Sequence, residues 1–152
     1  MRKILQFFMS SLAAIFMVTA QAEAVEYGSK AEAKAMAEHA AAFFTQNGKD
    51  KAFDAINNGT DGFKDRDLYV FVYDNAGTCV AHGANKGMIG KNLIDFKDVD
   101  GKPLIKEIVA VKDVGWVEFK WKNPQTSEVQ KKSSYVVRVG EFTFGVGAYQ
   151  KD

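Results

Sequence analysis

The chain has 152 residues, with 20 Lys and Arg against 19 Asp and Glu and a formal charge of +1. The two signs are interspersed, so there is no basic footprint for nucleic acid, and 47% hydrophobic residues with 12 Phe argue for a packed core and against a disordered tail. The single cysteine, Cys79, cannot close an internal disulfide.

Arg2 and Lys3 open the chain, Ile4 to Ala20 run almost without charge, and Ala20-Gln21-Ala22 places small residues where a signal peptidase reads. The pattern is that of a secretory signal over residues 1–22, cleaved after Ala22. Gln6, Ser10, Ser11 and Thr19 interrupt the apolar run and make it a poor permanent span; a retained anchor helix is the alternative. No second apolar stretch of membrane length follows. Residues 23–152 are expected to be one exported domain, long enough to build its own core, and the short signal suggests a bacterial periplasm.

Ser29-Lys30-Ala31-Glu32 has capping-box spacing and predicts a helix start. Ala33, Met36, Ala37, Ala40, Phe43 and Phe44 then share one helical face. Gly48 ends this helix, and a second follows with Ala52, Phe53 and Ile56 inward, stopped by Asn57-Asn58-Gly59. Leu68–Asp74 and Thr78–His82 read as a hairpin around Asn75-Ala76-Gly77. Residues 83–98 read as a tied-down loop anchored by Met88, Ile89, Leu93 and Phe96. Pro103 opens a short helix with a stripe of Leu104, Ile105, Ile108 and Val109. Strands Gly115–Lys122, Lys131–Val139 and Phe142–Tyr149 close the chain, with Gly145 and Gly147 facing away from Phe144 and Val146. Glycine inside a strand marks a place where another group approaches the backbone closely. The order predicts an α+β fold in which helices cover one sheet face.

The sequence assembles no catalytic or metal site. Asp98-Val99-Asp100-Gly101 starts like a calcium loop, but Val109 stands at its twelfth position, where a bidentate Glu is required; an Asp-rich turn is the better reading. Cys79 and His82 are three apart along a strand, which puts them on opposite faces. Cys79 reads either as a reactive thiol or as a small buried side chain, and its strand context favours the second. His39 lies beside the first helix's apolar stripe and is expected to face solvent. A nucleophilic Ser133 or Ser134 would need His82 as base and has no evident orienting carboxylate. No enzyme activity, cofactor or metal is expected.

A binding site remains. His82, Trp121, Lys132 and Tyr135 lie on neighbouring strands and together offer positive donors, a hydroxyl and an indole N–H on apolar rings. Such a set suits a small anion with an apolar tail, with His82 adding charge only near and below neutral pH. The plain alternative makes Trp121 core, Lys132 a solvated charge and Tyr135 an ordinary strand residue. A one-residue slip would exchange Lys131 for Lys132.

Seven segments in order, Tyr69–Asp74, Val80-Ala81-His82, Gly90–Leu93, Asp98–Lys102, Trp121–Pro124, Lys132–Val136 and Gly145–Tyr149, resemble the single Cache domains, extracytoplasmic sensor modules of bacterial chemoreceptors and sensor kinases. The resemblance covers about Ala31 to Asp152. It implies a long N-terminal helix on a PAS-like antiparallel sheet of five to six strands whose curved face holds a short carboxylate, such as acetate, propionate, lactate or pyruvate. It places His82, Trp121, Lys132 and Tyr135 at pocket positions, with Phe71 where the family often has Trp. Gly83 departs from a usual Pro, and Phe142 from a usual Trp. Family members normally continue into a transmembrane helix and a signalling domain, whereas this sequence stops at Asp152. The expectation is a stand-alone periplasmic domain that binds a small carboxylate and presents its bound state to a membrane chemoreceptor or sensor kinase. The alternative is a structural or interaction module with a vestigial pocket, acting through its first helix as a homodimer or adaptor. A hydrolase or redox role rests only on Cys79 and His82.

Overall fold

The computed structural model describes residues 24–151; the expected signal and its cleavage point lie outside them. Helix α1 (Lys30–Asn47) begins at Ser29, whose hydroxyl accepts from the Glu32 N–H at 3.2 Å while the Glu32 carboxylate accepts from the Ser29 N–H at 2.7 Å. This is the capping box read from the sequence. Hydrogen bonds from the Ser29 backbone and from Arg66 hold the Glu32 carboxyl down at about 2. Gly48, at φ 83, both ends α1 and starts α2 (Lys49–Asn58). Gly59, left-handed at φ 65, closes α2, a conformation only glycine adopts without strain.

Six strands follow: β1 (Lys64–Asp65), β2 (Leu68–Asp74), β3 (Cys79–His82), β4 (Val114–Lys122), β5 (Val129–Val139) and β6 (Phe142–Tyr149), with helix α3 (Leu104–Ala110) between β3 and β4. β2 pairs with β6, β6 with β5 and β5 with β4, while β1 and β3 pair along the other side of β2; every pairing is antiparallel. The first long strand and the last thus lie side by side in the middle.

Alternation divides the sheet into two faces. Leu68, Val70 and Val72 of β2, Tyr135 and Val137 of β5, and Phe142, Phe144 and Val146 of β6 pack against α1 and α2. Phe44 and Phe53 of the helices meet Phe142 and Phe144 of β6 at centroid distances of 5.1–6.5 Å. Tyr69, Phe71, Tyr73, Val117, Phe119, Val136 and Tyr149 form a second cluster on the opposite face, under Leu104, Ile105 and Ile108 of α3. Helices therefore cover both faces, not one. A helix of 7 residues is too short to cover a sheet by itself, and the loop before it completes the layer. That loop is laced down by Gly90 N–H to Cys79 O at 2.8 Å and Cys79 N–H to Lys91 O at 3.0 Å. Asp98 clips the loop to the β4 edge by accepting from the Lys120 N–H at 2.9 Å, and closes its own turn by accepting from the N–H groups of Asp100 and Lys102. The Asp-rich segment is thus a turn, and Arg138 fixes the far end of α3 by donating to Val109 O at 2.9 Å.

Candidate functional site

Lys132 is 1% exposed although it carries an ammonium group. Its place in β5 sets it opposite Phe119 of β4 and Tyr149 of β6, and the β6 glycines make room for it. A side-chain carbon at Gly147 would lie 2.3 Å from Lys132 Cε, and one at Gly145 would lie 2.2 Å from the Phe71 ring. These are the close approaches that the strand glycines imply. Lys132 Nζ donates to the Tyr69 hydroxyl at 2.8 Å and lies 4.0, 4.8 and 5.4 Å from the ring centroids of Tyr69, Tyr149 and Phe71. The Tyr69 and Tyr149 hydroxyls are 3.2 Å apart, and Tyr149 donates to Lys122 O at 2.9 Å. Each tyrosine proton is thereby directed away from Lys132, which keeps its remaining N–H bonds for another acceptor. Burial lowers the lysine to about 7, with the Asp67 charge opposing. Among the described residues no carboxylate forms an ion pair with it.

His82 stands on the same wall, its ring 5.0 Å from that of Tyr69. Its Nδ1 accepts from the Asn85 N–H at 2.9 Å and the Ala84 N–H at 3.2 Å, which leaves the neutral ring's proton on Nε2. Burial, assisted by the Lys132 charge, pushes His82 down to about 3. It is a neutral donor at physiological pH, which corrects the expectation of a charge appearing near neutrality.

Phe71, His82, Trp121 and Lys132 share one cavity, with Leu104 and Ile108 of α3 as its roof. Tyr135 is not among them. It lies three residues after Lys132, hence on the other face, where it packs against Trp116 at 5.1 Å and beneath Lys34. The converse correction applies to Cys79 and His82. β3 carries a bulge: Cys79 pairs with Tyr73 and Ala81 with Val72, leaving Val80 as the extra residue. The bulge brings Cys79 and His82 to the same face. Cys79 is fully buried, donates from Sγ to Ala81 O at 3.6 Å, and is pushed up to about 12 by burial, so it is an inert thiol. Lys131 is exposed, which settles the choice between the two lysines. His39 is exposed as expected, its ring against Phe63 at 5.0 Å. Sequence reasoning missed Tyr69, Tyr73 and Tyr149. The period of two was the available signal, since Tyr69 and Tyr73 share the face of Phe71.

The free space at the centre of the site is about 10 Å³, the size that holds one water molecule. The arrangement presents fixed N–H donors, one of them cationic, inside aromatic and aliphatic walls. A larger surface cleft of about 280 Å³ beside β4 and β5 carries Asp98, Asp100 and Glu118 along with Lys102, Lys120, Lys131 and Lys132. Both signs of charge line it. Among the described residues there is no His, Cys, Asp and Glu grouping fit for a metal ion, and no helix is long and apolar enough to cross a membrane.

A long N-terminal helix and one six-stranded antiparallel sheet covered on both faces make up a fold shared with solved domains of chemotaxis proteins. A methyl-accepting chemotaxis protein of Vibrio parahaemolyticus has it, with TM-score 0.69 and 23% identity over 79% of this chain and 87% of that one. A Cache chemosensory domain solved to explain carboxylic acid recognition has it too, with TM-score 0.60 and 23% identity over 78% and 86%. The Single Cache domain 2 family model matches residues 6–152, and the chain belongs to that family. The sensor histidine kinase MctS of Rhizobium johnstonii is 33% identical over 91 residues, which are 57% of this chain. The methyl-accepting chemotaxis protein McpP of Pseudomonas putida is 30% identical over 93 residues, or 58%. The chain spans only 20% and 17% of these two relatives.

Proposed function

We propose that this Cache domain binds a short monocarboxylate through Lys132 and that its bound state is read by a membrane chemoreceptor or sensor kinase. One observation carries the reading: among the described residues, a lysine buried among Tyr69, Phe71 and Tyr149 has no carboxylate ion-paired to it. A buried cation is costly unless it is paired, and a carboxylate ligand supplies the missing charge. His82 Nε2 adds a neutral donor, and Phe71, Phe119, Trp121, Leu104 and Ile108 give the acid's tail an apolar wall. With no second buried Lys or Arg among the described residues, the wall suits a monocarboxylate and disfavours a dicarboxylate. Support of a coarser kind comes from the shared fold of the carboxylic-acid-recognising Cache domain and from the kinase and chemoreceptor relatives.

Isothermal titration against two- to four-carbon acids tests the reading. Binding of at least one acid, weakened by about 2–5 kcal/mol in Lys132→Ala, supports it. Absence of binding throughout, or an unchanged Lys132→Ala, refutes it.

The water-sized cavity favours a second reading, in which bulky side chains have filled a vestigial pocket and the domain acts as an interaction module. The buried apolar stripe of α1 counts against the form of it that exposes Ala33 to Phe44. A homodimer through α1 would use the outward face that carries Ala31, Ala35 and Ala42, and sedimentation equilibrium decides it. Export directed by residues 1–22 belongs to the same proposal and is tested by N-terminal sequencing of the secreted protein.

A further inference from the structure

The free space beside Lys132, about 10 Å³, holds a water molecule and no acid, so a carboxylate enters only if a wall moves. Most of the wall is tied. Lys132 is bonded to Tyr69, the Phe71 ring lies against Gly145, His82 accepts from the Asn85 N–H, and Arg138 holds the end of α3. Of the nine residues that line the cavity, all are buried except Trp121, which is half-buried. Trp121 stands next to the end of β4, the last strand on its side of the sheet. It also borders a surface groove of about 230 Å³ between Phe96, Val99 and Val129, a volume of several water molecules. Trp121 is the one residue that cavity and groove share. The ring packed on it from the loop before α3 is Phe96, edge-on at 5.6 Å and itself 43% exposed.

We infer that Trp121 is the gate of the Lys132 cavity and Phe96 its latch, the indole swinging towards the groove to admit an acid and closing behind it. The inference rests on the binding role proposed for Lys132 and adds the route by which the acid arrives and the side chain that controls it. An edge-on aromatic pair is a weak fastening, and local opening at a sheet edge costs less than opening the core. A cavity that is water-sized when empty can thereby take a larger guest without disturbing the bonds around Lys132.

The test reads access to Lys132 without relying on acid affinity. Cyanate adds to an unprotonated amine to give a urea, and peptide mapping of the intact protein after labelling gives the rate at Lys132. Alkylation of Cys79 by iodoacetamide is the internal control, because this thiol is buried in the same layer outside the cavity and reacts only when the fold opens. Phe96→Ala should speed labelling of Lys132 about two- to tenfold, the weight of one edge-on aromatic pair, with Cys79 unchanged. Arg138→Ala, which frees the end of α3, should leave Lys132 at the wild-type rate, and saturating propionate should slow labelling of the wild type. An unchanged rate in Phe96→Ala overturns the inference. So does faster labelling of Lys132 alone in Arg138→Ala, which would put the entrance at α3. Lys132 and Cys79 accelerating together in Phe96→Ala also overturns it, since the whole fold would then be opening. If propionate neither binds nor protects while Phe96→Ala still speeds labelling, the Lys132 reading fails and the gate stands.

Discussion

Lys132 Nζ donates to the Tyr69 hydroxyl at 2.8 Å across the face of the same ring, whose centroid is 4.0 Å away. Lysine and tyrosine come from β5 and β2, strands that do not touch but lie on either side of β6. The hydroxyl stabilises the ammonium without neutralising it, and burial still brings the lysine to about 7. Roughly half of the free protein is therefore charged at this site at neutral pH.

Carboxylate affinity should depend on pH in a definite direction. The anion favours charged Lys132, so binding raises the lysine's pKa above about 7. Affinity is then level just below that pH and falls by about tenfold per unit above it, until the bound-state value is reached. Titrations at about pH 8 in buffers of different ionisation heat should register proton uptake. Affinity unchanged over this range would contradict the assignment.

Stability should follow the same lysine in the absence of acid. The unfolded chain holds its Lys132 proton up to about 10.4, the folded one only to about 7. Between these values the unfolded state binds more protons, so stability rises with pH by up to about 1.4 kcal/mol per unit. Cys79 opposes this above its unfolded value of 9.0, because its folded thiol is held at about 12. Urea unfolding from pH 7 to about 8.5 should show the rise in wild type and lose it in Lys132→Met.

His82 governs the acid side. Its folded value of about 3 lies below the usual 6.5, so the unfolded state gains the proton first and stability falls as pH drops from 6.5 towards 3. His82→Asn keeps an acceptor for the Ala84 and Asn85 N–H groups and has no titrating ring. It should flatten the acid limb by at most about 1.4 kcal/mol per unit. An equally steep limb in the variant would place the linkage elsewhere.

Two substitutions separate the faces of the sheet. Tyr135→Phe should leave acid affinity unchanged, because the ring lies under α1. Gly145→Ala should displace the Phe71 ring from a contact of 2.2 Å and cost about 1–3 kcal/mol of stability. Loss of acid binding in Tyr135→Phe would mean that the two faces communicate.

The legible parts of this fold were those set by local chemistry. Ser29 and Glu32 announced α1, Gly59 closed α2, and the glycines of β6 marked where Phe71 and Lys132 approach the backbone. The same rule of two that separates faces also governs Tyr135, three residues from Lys132, and taken strictly it removes Tyr135 from the pocket. It failed at His82 for a different reason. A bulge at Val80 adds a residue to β3 and reverses the face of everything after it, and nothing in Cys79-Val80-Ala81-His82 announces a bulge. The helix-covered second face was hidden for a third reason: the position of α3 is fixed by distant partners, Arg138 on β5 and Asp98 against β4.

The most direct measurement is an NMR titration of the Lys132 side chain, labelled at Cε, with and without saturating propionate. A free-state midpoint near 7 is expected, moving up by at least about one unit when the acid binds. A midpoint near the ordinary value of 10.5 in the free protein, or one that propionate leaves in place, would contradict it.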